Sequence, residues 1–228
     1  MKDIILRTKK LKKTYHGGTV QAVEALRGIN LEFEKGRYYA IVGKSGCGKS
    51  TLLHILGALD TPTRGKVICA GEDVFGRSRR ELARFRRRQI GFIFQSYNLL
   101  QEHTVIENIL MPLHLDGREP DKKYLRTTLE MLEIMDLAAK FPSQLSGGEQ
   151  QRVAVARALS AKPAIVLADE PTGNLDPGTS KHTLALMKDT VEQLGQTLIL
   201  VTHDMDIAAE AHVQIRIHQG EIVDVKES

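Results

Sequence analysis

Residues 43–50 read GKSGCGKS, a glycine-rich loop of the form G-x-x-x-x-G-K-[ST]. Gly43, Gly46 and Gly48 let the backbone curl until successive N–H groups point at phosphate oxygens. The loop opens onto a helix start, where free N–H groups and the helix dipole both favour anions. Lys49 brings a full positive charge to β- and γ-phosphates, and the Ser50 hydroxyl is placed to ligate Mg2+. The chemistry implied is capture of a nucleoside triphosphate. Further on, Asp169 and Glu170 close the apolar run 165–168. Neighbours on a strand face opposite ways, so one carboxylate can hold the Mg2+ shell while the other faces an attacking water. Residues 145–152 read LSGGEQQR. Ser146 with Glu149 three residues on is a capping box at a helix start. Gly147 and Gly148 at the first helical positions weaken a helix, and are explained if their N–H groups must approach a phosphate closely.

Alternating strands and helices are the elements that must hold these residues. Ile29, Leu31 and Phe33 alternate with polar residues and predict a strand. The apolar run 38–42 predicts a second strand feeding the glycine loop, with a helix over 50–57 leaving it. Short strands follow at 66–69 and 90–94, the latter ending at Gln95. Leu125, Leu129 and Leu132 keep helical spacing, with Met135 extending it. The 141–144 segment breaks that pattern, and a helix restarts at Ser146. A strand at 164–168 precedes a helix on which Leu184, Met187, Val191 and Leu194 recur by three and four. A strand at 197–201 and a hairpin of 213–217 with 222–225 across Gln219-Gly220 close the chain. Strand–helix alternation around a phosphate loop predicts an α/β core with a mostly parallel sheet.

The chain has 228 residues, 42% hydrophobic and 26% charged, which suits one globular domain able to bury its own core. Cys47 lies inside the phosphate loop, and with Cys69 alone it builds no disulfide framework, so a reduced, cytoplasmic setting is expected. The opening MKDIILRTKKLKK has no apolar stretch long enough for a signal peptide, and no apolar run reaches membrane-span length. Net charge is only +4, yet Arg77, Arg79, Arg80, Arg84, Arg86, Arg87 and Arg88 crowd one segment. That cluster reads as a solvated helix with Leu82 and Phe85 turned inward. The rival reading is a nucleic-acid contact, without the aromatic interleaving such surfaces carry.

Along nearly its whole length the chain resembles the ATP-binding cassette family. LSGGEQQR is similar to the family's signature, and VLADEP at 166–171 to its Walker B strand. Gln95 after IGFIF falls at the Q-loop, Gly173-Asn-Leu-Asp176 at the D-loop and His203 after TLILVT at the H-loop. Tyr15 in KTYHGG falls at the aromatic that stacks on adenine. The resemblance implies a P-loop NTPase core from 1–95 and 162–228, an N-terminal antiparallel β region, and an inserted helical lobe, 96–161, carrying the signature. It implies that Gly43, Lys44, Ser45, Gly46, Cys47, Gly48, Lys49, Ser50 and Thr51 bind ATP together with Tyr15 and Asp176. Ser50, Gln95 and Asp169 would hold Mg2+. Glu170 would act on the hydrolytic water, His203 would contact the γ-phosphate, and Gln95 would report the metal to the lobe. Ser146, Gly147 and Gly148 would bind the ATP of a second copy in a head-to-tail homodimer.

The stretch between Lys49 and the signature leaves no room for the long coiled coils of chromosome-maintenance relatives, and a single cassette differs from the paired cassettes of translation factors. What the resemblance implies is an ATPase on the cytoplasmic face of the plasma membrane, coupled to an integral membrane permease and not to nucleic acid. HILGALDTPTRG, ELARFRRRQIGFIFQSYNLL and LADEPTGNLD are similar to the ATPases that export or extract lipoproteins, macrolides or antimicrobial peptides. FPSQLSGGEQQRV is also similar to the cell-division cassette ATPase, where mechanical signalling across the membrane stands in place of transport. A soluble ATPase using the arginine cluster on nucleic acid is the rival from another class.

Overall fold

The computed structural model of the chain describes residues 3–18 and 20–227. Its elements run β1 (Ile4–Tyr15), β2 (Val23–Glu34), β3 (Tyr38–Val42), α1 (Lys49–Leu56), β4 (Arg64–Cys69), β5 (Glu72–Asp73), α2 (Arg79–Gln89), β6 (Ile90–Phe94), α3 (Val105–His114), α4 (Lys122–Met131), α5 (Gly147–Leu159), β7 (Ile165–Asp169), α6 (Pro177–Gln193), β8 (Thr197–Thr202), α7 (Met205–Ala209), β9 (Val213–His218) and β10 (Glu221–Glu227). They fall into two compact units. One runs to Ala83 and resumes at Thr197, and the other runs from Arg84 to Gln196.

In the first unit an antiparallel sheet in the order β2-β1-β4-β5 carries the N-terminal third. The period-2 pattern is met there: Ile29, Leu31 and Phe33 are buried while Asn30 and Glu32 are exposed. β3 reads differently because it is buried on both faces, every residue of Tyr38–Val42 lying in the core. It runs parallel to β8 on one side and to β9 on the other, and a strand so placed shows a continuous apolar run in place of alternation. β9 turns into β10 through Gln219 (φ 45°) and Gly220 (φ 80°), two left-handed residues in succession, the conformation a tight two-residue hairpin demands.

In the second unit β6 and β7 pair in parallel, from Ile90 opposite Ile165 to Phe94 opposite Asp169. Helix starts here are capped by side chains. Thr104 and Glu107 form a capping box on α3, and Asp121 accepts from the Tyr124 N–H on α4. Leu184, Met187 and Val191 line the buried face of α6 as their spacing predicts, while Leu194 serves as its C-cap. The expected extension of α4 to Met135 is not found. Glu133 takes φ 55° and the Ile134 N–H bonds back to the Leu129 carbonyl at 3.0 Å, the six-to-one bond of a Schellman stop. Met135 therefore lies in a separate 3-10 turn, 42% exposed.

The expected α/β architecture is thus present, with parallel strands in both units and an antiparallel N-terminal sheet. No helix among the described residues is long and apolar enough to cross a membrane. In the arginine-rich segment Phe85 is buried and Leu82 half-buried, the inward stripe expected of a solvated helix. Part of its charge is matched: Arg77 pairs with Glu72 at 2.6 Å, and Arg87 and Arg88 both reach the Asp116 carboxylate, at 3.3 and 2.6 Å. Desolvation pushes the Asp116 carboxyl up, but the Arg88 hydrogen bond and charge, then those of Arg87, outweigh it and hold it below the ordinary value. A carboxyl depressed in the folded state contributes stability above its unfolded pKa, about 3.9, and loses it as pH falls through the folded value. The unfolding midpoint of the native chain should therefore fall more steeply below about pH 4 than that of Asp116→Asn. Parallel pH profiles in thermal unfolding would contradict this role for Asp116.

Candidate nucleotide site

In the first unit, β3 delivers the chain into the 43–50 loop and α1 takes it away. The helix begins at Lys49, one residue before the sequence expectation, and its N-cap is Gly48 at φ 107° with no side-chain cap bond. Glycine is needed twice over at Gly48, because a Cβ would strike the Ala25 carbonyl oxygen and the left-handed backbone disfavours any other residue. With no side-chain bond at the N-cap and no acid in the first turn, the positive end of the α1 dipole faces no fixed negative charge there, which suits an anion. Lys49 is buried to 6% exposure. Its ammonium donates to the loop's own Gly43 and Lys44 carbonyls at 2.8 and 3.2 Å, so the charge is held against the loop backbone. Ser45, Gly46 and Ser50 are exposed, while Cys47 is buried with a free thiol.

Tyr15 ends β1 and is 36% exposed. Its hydroxyl donates to Asp60 Oδ2 at 2.8 Å and meets the Thr51 side chain of α1 in a second hydrogen bond. His203 follows β8 and is exposed. The chain around it is pinned by the Asp204 N–H donating to the Thr202 hydroxyl at 3.0 Å and by Asp204 capping α7.

In the second unit the register of β6 on β7 places Gln95 and Glu170 just beyond the same end of two adjacent parallel strands, the edge at which open α/β sheets bind ligands. The strand stops at Asp169. Glu170 is not its next residue but the first of a turn, at φ 44°, closed by the Gly173 N–H on the Glu170 carbonyl at 3.0 Å with Pro171 at the position such turns favour. Glu170 therefore leaves the strand in a left-handed conformation, and strand alternation does not govern its side chain. Gln95 is clamped by Asn174: the Gln95 Nε2 donates to Asn174 Oδ1 at 3.2 Å, and Asn174 Nδ2 donates to the Gln95 carbonyl at 3.0 Å. This orientation commits the nitrogen of the Gln95 amide to Asn174 and leaves its oxygen as the end available to a cation. Asp176 caps α6, accepting from Gly178 and Thr179 N–H at 3.1 Å each; the Thr179 bond foremost holds its carboxyl below the ordinary value.

The capping box at α5 is formed as the sequence indicates. The Ser146 hydroxyl and N–H both donate to Glu149 Oε2 at 2.7 Å, the hydroxyl bond foremost depressing the Glu149 carboxyl. The two glycines have a packing reason besides ligand approach, since a Cβ at Gly147 would come within 2.8 Å of the Tyr97 hydroxyl and one at Gly148 would strike the Thr179 methyl. Arg157, one face of α5 further on, donates to the Tyr97 carbonyl at 2.8 Å and to that of Asn98, tying the segment after Gln95 to the signature helix. Asn174 was visible in sequence only as a loop residue, and Arg157 only as one of many arginines. Lys13 and Asp60 stood inside the segments KTYHGG and HILGALDTPTRG without a role of their own.

A glycine loop set on a doubly buried parallel strand and emptying into an uncapped helix start defines a P-loop nucleotide-binding protein. The family model described as "ABC transporter" matches residues 26–173. An uncharacterized ABC transporter ATP-binding protein of Thermotoga maritima is 49% identical over 92% of this chain and 90% of its own. The lipoprotein-releasing system ATP-binding protein LolD of Alcanivorax borkumensis is 47% identical over 95% of both chains. Among solved structures, the ABC transporter cassette MJ0796, solved as a dimer, superposes with a TM-score of 0.87 at 38% identity over 98% of both chains. Its post-hydrolysis state bound to ADP and Pi superposes with a TM-score of 0.86. The chain belongs to the ABC transporter family and is an ATPase of it. Replacing Lys49 with alanine removes a charged donor from the loop, a loss of about 1.5–3 kcal/mol. Lys49→Ala should lower kcat/KM for ATP by about 10- to 100-fold, and unchanged steady-state kinetics would contradict the placement of that charge.

Proposed function

We propose that two copies of this chain close head to tail on ATP, each phosphate loop facing the other copy's signature, and that closure drives an integral membrane permease in releasing or extracting lipoproteins. The observation that carries this reading is the start of α5. Its capping box spends the Ser146 and Glu149 side chains on each other, so the Gly147 and Gly148 N–H groups, which have no intrahelical acceptor, are left as donors for a phosphate. The dimeric cassette that this chain resembles over 98% of its length supports the arrangement, and the LolD relatives support the cargo. In this reading residues 96–161 are the signature-bearing lobe, and 1–95 with 162–228 the nucleotide-binding core. The protein works at the cytoplasmic face of the inner membrane.

Within the site, Lys44, Ser45 and Cys47 contribute backbone N–H groups to the phosphates beside Gly43, Gly46 and Gly48, with Thr51 in the first turn behind them. Tyr15 stacks on adenine. Glu170 orients the hydrolytic water and takes its proton, and His203 holds the γ-phosphate in line. Ser50, Gln95 and Asp169 offer a hydroxyl, an amide and a carboxylate, the hard oxygen donors that suit Mg2+; when bound, the ion neutralises charge on the β- and γ-oxygens. Asp176 acts by holding the 173–176 loop in place. Hydrolysis gains from positioning and charge stabilisation, not from covalent chemistry.

Glu170→Gln should bind ATP while losing turnover by about 100-fold or more, the general-base contribution. Purified from detergent-solubilised native membranes with Mg-ATP, it should bring an integral membrane protein at matched stoichiometry. Turnover at the native rate would remove Glu170 from its role, and recovery of nucleic acid with no membrane protein would overturn the coupled-subunit reading.

A further inference from the structure

Behind Tyr15 lies a mount that the nucleotide reading does not use. Lys13, two residues earlier on β1 and across a register shift between Lys13 and Thr14, places its ammonium over the Tyr15 ring, 4.7 Å from the centroid. The Lys13 side chain is only 11% exposed, and its charge is met by Asp60 Oδ1 at 2.6 Å. The same ammonium donates to the Thr61 carbonyl at 2.8 Å. Asp60 divides its carboxylate. Oδ1 accepts from Lys13 and from the Thr61 N–H, at 2.6 and 2.7 Å, and Oδ2 accepts from the Tyr15 hydroxyl at 2.8 Å. Asp60 itself sits in the turn that follows α1, its N–H directed back to the His54 carbonyl of that helix at 3.3 Å.

We propose that Lys13 and Asp60 are positioning residues for the nucleotide base, fixing the plane of the Tyr15 ring and its distance from the phosphate loop. The inference rests on Tyr15 being the base platform. The ring is restrained at three points: its hydroxyl by Asp60, the same hydroxyl by Thr51, and one face by the Lys13 ammonium. Two of these anchors belong to α1 or to the turn that leaves it, the helix that begins at Lys49. The platform is thereby tied to the element that holds the phosphates. A ring held this way loses little rotational freedom when a base arrives, which is how preorganisation raises affinity. The cation on one face also draws π density towards itself, which reduces the repulsion met by an electron-rich purine on the other. Burial, and then the Asp60 charge and hydrogen bond, keep the Tyr15 phenol above its ordinary range despite the Thr51 bond, so the hydroxyl remains a donor at neutral pH. Asp60 is raised by burial but lowered further by Lys13, and stays ionised.

The test is a double-mutant cycle on binding of Mg-ADP by the purified full chain, read by calorimetry. Lys13→Met and Asp60→Asn should each weaken ADP binding about two- to tenfold, the order of one cation–π contact or hydrogen bond. In a Tyr15→Ala background the same substitutions should change affinity by less than about 1.5-fold, because residues that act through one another are not additive. In steady state KM for ATP should rise while kcat at saturation holds. Additive losses in both backgrounds, or no loss in the native background, would overturn the mount. A Tyr15→Ala chain that binds ADP as tightly as the native one would instead remove the platform itself, a separate failure. Thermal unfolding checks each variant. If Asp60→Asn strands the Lys13 charge and does not fold, the pair Lys13→Met with Asp60→Asn removes both charges together and is read in the same cycle.

Discussion

A polyphosphate concentrates negative charge in a small volume, and a protein that holds one must aim several N–H donors at a point while excluding every side chain that would block them. The rest of this structure follows from that convergence. The loop can curl over a phosphate only because its helix opens on a left-handed Gly48 against the Ala25 carbonyl. The loop is held in turn because β3 is buried on both faces and paired on both edges, by β8 and β9. A strand with no free edge and no solvent face has little room to shift, which gives the loop a rigid origin.

The same economy recurs at the start of α5. A helix normally meets its own leading donors with side chains, and α3 and α4 do so. α5 satisfies its cap with Ser146 and Glu149, then places two residues without side chains at the first helical positions. Glycine is a poor helix former, and the helix is held by the buried face of α5 from Val153 to Leu159. The glycines also admit Tyr97 and Thr179 to close approach, so the backbone at the start of α5 lets neighbouring segments pack. Arg157 and Asn174 extend this arrangement to the segment around Gln95.

How much of this was legible in the sequence depended on the range of the forces involved. β3, β6 and the closing hairpin, the Ser146 cap and the inward face of α6 were readable because each is written in a short run of residues. Strand alternation was the reasoning applied to Glu170, and periodicity cannot show that the strand stops at Asp169 and that Glu170 takes a left-handed conformation. Met135 was misplaced because hydrophobic spacing continued past the Schellman stop at Glu133, which no glycine marks. The mount joins Lys13 and Tyr15 to the distant Asp60 through side-chain geometry alone, and nothing in a linear reading could find it. Asn174 lay in a recognised loop, but its reciprocal bonds to Gln95 appear only when the two segments are folded together.

Nucleotide-dependent association is the central claim, and sedimentation velocity of the Glu170→Gln chain addresses it most directly. With Mg-ATP the chain should sediment as a dimer, and with Mg-ADP as a monomer, because the proposed closure has a γ-phosphate shared with the Gly147 and Gly148 N–H groups of a second copy. A chain that binds ATP and remains monomeric, or that is dimeric with either nucleotide, would contradict the claim.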